Sequence, residues 1–165
     1  MGEGGSNIYN KFPDGVYSCY SYYDQNVGCD TNREITKNSY YNSYFTFYSD
    51  HGSYNWAFVH SSELSNRYLQ PKTIITMACS TCDFTFAKDA SNSGALFCMQ
   101  NLRKGVLAYI GAQSVALATP KANVPLVPLL ILEKKTLGEA FHIYNHIWPV
   151  YFVLIGDPTL RPIFW

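Results

Sequence analysis

The sequence predicts an α/β fold: a mostly parallel sheet covered by helices on both faces, in three layers. Two observations carry that expectation. Short apolar runs of strand length, at Ser43 to Tyr48, Thr73 to Ala78, Val106 to Ile110 and Tyr151 to Ile155, alternate with segments of helical spacing. Such alternation favours parallel pairing, because a helix is the usual crossover between neighbouring parallel strands. The chain has 165 residues, 47% of them hydrophobic, which suffices for one domain with a real core.

Each element has a local reason. After the Gly-rich opening Met1 to Ser6, Asp14-Gly15 is a turn and Val16 to Tyr20 reads as a first strand. Thr31-Asn-Arg-Glu34 has capping-box spacing, which satisfies two exposed helix amides and starts a short helix running to about Asn38. Ser43 to Tyr48 is the second strand. Ser62 to Leu69 reads as a short helix closed by Pro71, and the β-branched run Thr73 to Ala78 is the next strand. Ser93 to Lys104 carries Leu96, Phe97 and Leu102 and stops at Gly105, as an amphipathic helix does. Val106 to Ile110 is a strand. Residues 112 to 135 are irregular and contain proline. Thr136-Leu-Gly-Glu139 is a second capping box, opening a helix whose Leu137, Ala140, Phe141, Tyr144 and Ile147 share one face. Tyr151 to Ile155 reads as a final buried strand. The expected organisation is a flexible segment over 1–14 and a single domain over 15–165, with no internal repeat.

Composition limits the partners. Twelve basic residues balance twelve acidic ones, so no net field draws the chain to nucleic acid or an anionic membrane. The opening Met1 to Ser6 lacks the charged, apolar and small-residue pattern of a signal peptide and is expected to be a flexible start. The apolar run Val124 to Leu132 is interrupted by Pro125 and Pro128 and is far short of the roughly 20 residues that span a bilayer. Most of the fourteen tyrosines lie before residue 70, interleaved with Asn and Ser, a pattern of half-buried strands rather than of a binding surface. The five cysteines, Cys19, Cys29, Cys79, Cys82 and Cys98, leave at least one thiol unpaired in any disulfide scheme.

The chemistry-bearing residues stand at strand ends. Phe45-Thr-Phe-Tyr-Ser-Asp-His51-Gly52 and Thr73-Ile-Ile-Thr-Met-Ala-Cys79 each deliver one reactive side chain just past a strand. Open α/β sheets bind their ligands beyond the carboxyl ends of the strands, and a His beside a Cys activates the thiol as a nucleophile. Gly52 has no side chain to obstruct a substrate and leaves its amide to donate to an oxyanion. His142 and His146 are four apart on a helix, but no Glu lies between them as in a zinc-protease helix, so they read as surface residues. Cys79-Ser-Thr-Cys82 admits two other readings. One is a redox CxxC pair; the other is half of a zinc site with Cys19 and Cys29, whose separation of nine residues suits zinc poorly.

Taken together, the chain resembles the gingipain-type (family C25) cysteine peptidases of the caspase-like clan. Three segments carry the resemblance: Tyr48-Ser-Asp-His51-Gly52 with Trp56 soon after, Met77-Ala-Cys79-Ser-Thr-Cys82-Asp83-Phe84, and Leu154-Ile-Gly156-Asp157-Pro158-Thr-Leu160. Leu137-Gly-Glu-Ala140 is similar to the helix that precedes the family's closing strand. The resemblance runs from about residue 15 to residue 161. It implies a caspase-like α/β/α fold and a cysteine endopeptidase acting on protein or peptide substrates. His51 and Cys79 are then the catalytic dyad, and the amides of Gly52 and Cys79 hold the oxyanion.

The resemblance also sets further expectations. Cys82 stands where the family more often has glycine, a second thiol placed to compete, bridge or regulate, so that activity depends on reducing conditions. Family members have further strands upstream of the His, so the domain is expected to be partial at its N-terminus and to expose a sheet edge through which it could self-associate. No catalytic metal or cofactor is expected, structural calcium is a family option, and the family's setting is secreted or at the cell surface. Two alternatives are an inactive interaction module of the same fold and a redox or zinc protein using Cys79 and Cys82.

Overall fold

The computed structural model describes residues 37, 40–48, 59, 61–64, 67–85, 96–114, 130, 133–147 and 152–162. The expected strand Val16 to Tyr20, the start of the helix at Thr31, and residues 115–129 lie outside these. In chain order the elements are β1 (Phe45–Tyr48), α1 (Ser61–Leu64), β2 (Lys72–Thr76), α2 (Phe97–Arg103), β3 (Val106–Ala112), α3 (Leu137–Ile147) and β4 (Phe152–Gly156). The four strands form one sheet in the order β1-β2-β3-β4. β1, β2 and β3 are parallel, with Tyr48 opposite Thr76 and Ile75 opposite Ile110; β4 returns antiparallel to β3, pairing Phe152 with Ala112 and Gly156 with Ala108. This is a mostly parallel α/β sheet, consistent with a caspase-like fold.

Alternation along β2 sends neighbouring side chains to opposite faces. Ile74 joins a cluster with Leu64 of α1, Phe97 and Cys98 of α2, and Tyr40, whereas Ile75 joins one with Leu137, Ala140 and Tyr144 of α3. Helices therefore cover both faces, and every residue of β2 is buried. The α3 start forms as the sequence predicts. Glu139 N donates to Thr136 Oγ1 (3.3 Å) while the Glu139 carboxylate accepts from Thr136 N (2.8 Å) and from its hydroxyl (2.9 Å). Those bonds hold the Glu139 carboxyl below its ordinary range.

Several boundaries differ, each for a tertiary reason. The helix expected over Ser62 to Leu69 is Ser61–Leu64, because Leu69 N donates instead to Lys104 O (2.7 Å), drawing residues 67–70 beside the end of α2. Gly105 permits that contact: its φ is +114°, and a Cβ there would lie 2.8 Å from Leu69 O. The β3 strand runs to Ala112 rather than Ile110, since β4 supplies partners for Gly111 and Ala112. The last strand is not fully buried: Phe152 is, while Val153, Leu154 and Ile155 are half-buried on an outer strand of the described sheet. In α2 the buried positions are Phe97, Cys98 and Asn101, with Leu102 only half-buried.

The amino end of β2 holds a buried lysine. Lys72 is 1% exposed, its Nζ donates to Tyr40 O and lies 3.9 Å from the centre of the Tyr40 ring, and burial pulls its ammonium down to about 7. The Tyr40 hydroxyl in turn donates to Asn101 Oδ1, and Asn101 Nδ2 donates to Phe97 O (2.8 Å). Burial holds the Tyr40 hydroxyl well above its ordinary pKa.

Candidate active site

Cys79 stands three residues past the end of β2, at the carboxyl edge of the parallel strands. The chain approaches it through the buried Met77 and Ala78, then turns over Cys79–Cys82. Across that turn the side chains divide between the two faces of the sheet. Cys79 is half-buried and packs against the α3-side cluster, whereas Cys82 is fully buried in the α2-side cluster. Beneath the Cys79 side, Met77 Sδ accepts from the Tyr144 hydroxyl at 3.7 Å, and burial pushes that hydroxyl up to about 12.

The turn has an unusual backbone. Ser80 has φ +53°, the left-handed region that costs an L-residue with a side chain about 1–2 kcal/mol. Main-chain bonds hold it there: Ser80 N donates to Ser114 O (2.9 Å) and Cys82 N to Ala112 O (2.8 Å), tying the turn to the end of β3. The Thr81 hydroxyl donates to Ala78 O (3.5 Å), and the Thr76 hydroxyl accepts from Ala78 N (3.1 Å). Gly111 makes room below, since a Cβ there would meet Thr81 Oγ1 at 2.8 Å and the Tyr109 ring at 2.5 Å.

Cys82 is bonded to Cys98 in the first turn of α2, with their Cα atoms 5.5 Å apart. The redox reading of Cys79 and Cys82 as a dithiol pair is therefore corrected. The two sulfurs belong to opposite faces of the sheet, and Cys82 is already engaged. In the loop-entropy account, closing a loop of about 15 residues contributes roughly 3 kcal/mol, and this bridge spans 16. The zinc reading gains no support: among the described residues no group of three or more His, Cys, Asp or Glu side chains could hold a metal, and Cys19 and Cys29 lie outside them. His142 is exposed on α3, and the His146 side chain is not among those described.

His51, Gly52, Asp50 and Trp56 also lie outside the described residues. What is described is the strand that leads to them. Tyr48 ends β1 and pairs with Thr76, which ends β2, so His51 and Cys79 each follow their member of one cross-strand pair by three residues. Neighbouring strands are about 4.8 Å apart, and three residues reach at most about 10–11 Å.

Another part of the sequence pattern sits at the opposite end of the sheet. Gly156 has φ +109°, and a Cβ there would lie 2.2 Å from Leu107 O; next to it, Asp157 N donates to that same Leu107 O (3.2 Å). The Asp157 carboxylate accepts from Thr159 N (2.8 Å) and the Thr159 hydroxyl (2.6 Å), which holds its carboxyl below the ordinary range. Pro158 O and Leu160 O accept from Gly138 N and Leu137 N, both at 2.8 Å, so Leu137-Gly-Glu-Ala140 and Gly156-Asp157-Pro158 clamp each other.

Sequence reasoning located Cys79 but missed four residues that shape its turn: Ser80, Thr81, Gly111 and Cys98. An isolated glycine in an apolar strand was the one available signal, and Gly111 fell beyond the expected end of its strand.

A half-buried cysteine on a braced turn stands at the carboxyl edge of the parallel strands, where open α/β sheets bind their ligands. Comparison with known families matches residues 6–163 to peptidase family C25. The chain belongs to that family, whose members are in general cysteine peptidases. No curated protein and no solved structure matches it. No helix among the described residues is long and apolar enough to cross a membrane.

Proposed function

We propose that the chain is a cysteine endopeptidase in which Cys79 is the nucleophile and His51 its acid and base. The observation that supports this most is the position of Cys79 on a braced, half-buried turn three residues past β2, with β1 in register beside it and leading to His51. In this reading the Cys79 thiolate attacks the scissile carbonyl and forms a tetrahedral oxyanion held by the amides of Gly52 and Cys79. Collapse expels the amine, which takes a proton from the His51 imidazolium, and leaves a thioacyl-enzyme. Water, deprotonated by His51, then releases the acid and regenerates the thiolate.

The experiment is labelling of the protein with peptidyl acyloxymethyl ketones that differ in the P1 side chain, with mass spectrometry to locate the adduct. One adduct on Cys79 that disappears in His51→Ala is the expected result, and the preferred P1 residue identifies the substrate. Absence of labelling, or labelling indifferent to His51, would sink the peptidase reading in favour of an inactive interaction module.

A further inference from the structure

The turn that carries Cys79 is held from two sides, and the holds differ in kind. Toward β3 it has two main-chain bonds, from Ser80 N and from Cys82 N. Toward α2 it has one main-chain bond, Cys98 N to Thr81 O at 3.2 Å, and the covalent bridge from Cys82 to Cys98. The α2 anchor is the more rigid support. Phe97, Cys98, Thr81 and Cys82 are all fully buried, so the disulfide fastens one end of the turn to the close-packed cluster under the sheet. The other end, on the opposite face, presents the half-buried Cys79. Between them Ser80 keeps a left-handed backbone, a conformation that persists only while its surroundings over-determine it.

We infer that the Cys82–Cys98 disulfide is a positioning device for Cys79, so that the enzyme works with that pair oxidised and Cys79 reduced. The inference rests on the reading of Cys79 as the nucleophile. Its physical basis is that a sulfur atom displaced by about 1 Å from its line of attack loses on the order of a hundredfold in rate. Opening the bridge transfers two electrons and two protons from a dithiol reductant, which leaves as its own cyclic disulfide. Cys79 is already a thiol and takes no part in that exchange. Cys82 and Cys98 thus act through Cys79 and touch no substrate themselves. The requirement is opposite for the two kinds of sulfur, so turnover passes through a maximum as the redox potential is lowered.

The test compares the unmodified protein with Cys82→Ala/Cys98→Ala, measuring kcat and KM on the peptide preferred in the labelling experiment, and hydrogen exchange at the Ser80 and Cys82 amides. The unmodified protein is also measured before and after opening of the bridge with excess dithiothreitol, which keeps the test valid should the double variant fold poorly. The expected result is a kcat lower by roughly tenfold to a hundredfold with KM nearly unchanged, and faster exchange confined to the turn. An unchanged kcat with unchanged exchange overturns the inference. Faster exchange throughout the α2 side, with a lowered thermal midpoint and kcat and KM altered together, overturns it in favour of a general staple. Should the unmodified protein show neither turnover nor a Cys79 adduct, the peptidase reading has failed. The iodoacetamide alkylation rate of Cys79, together with turn exchange, then decides positioning alone: a change of threefold or more on opening the bridge supports it, and no change overturns it.

Discussion

The two ends of the sheet make opposite use of similar devices. At the carboxyl end of β2, a left-handed Ser80, two main-chain bonds and a disulfide hold the turn from which Cys79 stands half out of the protein. At the amino end of β3, a left-handed Gly156, an Asp157 turn and a pair of helix amides close α3 onto the chain after β4. At the first end a side chain tolerates a conformation that glycine would adopt without cost; at the second, glycine is required because Leu107 O fills the space of a Cβ. The family pattern thus reaches both ends of the sheet: one part carries the Cys79 turn, and another closes α3 onto the chain after β4.

The comparison breaks most sharply at Cys79. Cys79→Ala is expected to lower kcat by at least about a thousandfold while leaving the thermal midpoint near that of the unmodified protein, as loss of a nucleophile does. A residual rate within tenfold would place the chemistry elsewhere. The converse experiment is Gly156→Ala at the closure end. A Cβ 2.2 Å from a carbonyl oxygen at φ +109° is expected to cost on the order of 3 kcal/mol in urea unfolding, while kcat per folded molecule stays unchanged. A loss of kcat without a loss of stability would show that the two ends are coupled.

Lys72 sharpens the comparison through pH. Its ammonium is lowered from about 10.5 in the unfolded chain to about 7 in the fold, so the unfolded state binds the proton more strongly across that interval. Stability therefore rises as pH increases from 7 toward 10.5, at up to about 1.4 kcal/mol per pH unit, and the burial penalty is felt in full below pH 7. Lys72→Met removes the charged group from its buried site and is expected to raise the urea midpoint at pH 6 and to flatten the slope between pH 7 and 9. A slope unchanged by the substitution would assign the titration to another group.

The smallest expected effect is at the α3 cap. Thr136→Ala removes the hydroxyl that accepts from Glu139 N and is expected to cost about 1 kcal/mol, read as a shift in the urea midpoint with no change in kcat. A loss above about 2 kcal/mol would mean that the cap also supports the Pro158 clamp.

Much of this molecule could be read from local rules. The capping box at Thr136 and Glu139 forms as its spacing requires, because its bonds connect residues three apart and need no tertiary partner. The strands around Ile74, Tyr109 and Leu154 follow from β-branched and apolar runs, and Cys79 stands just past one of them. The alternation of these runs with helices was enough to predict a mostly parallel sheet between two helical layers. Other features were set by residues far apart in the chain. The antiparallel return of β4, the extension of β3 to Ala112 and the early end of α1 depend on which segments meet across the sheet. The partner of Cys82 belongs to this second group. Continued alternation places Cys79 and Cys82 on opposite faces, but it does not say which distant cysteine lies beside Cys82. What the sequence determined by itself were the elements and the place of Cys79 just past a strand, through interactions within a few residues; the tertiary structure alone decided which cysteine meets Cys98, because that depends on where distant elements bring their backbones together.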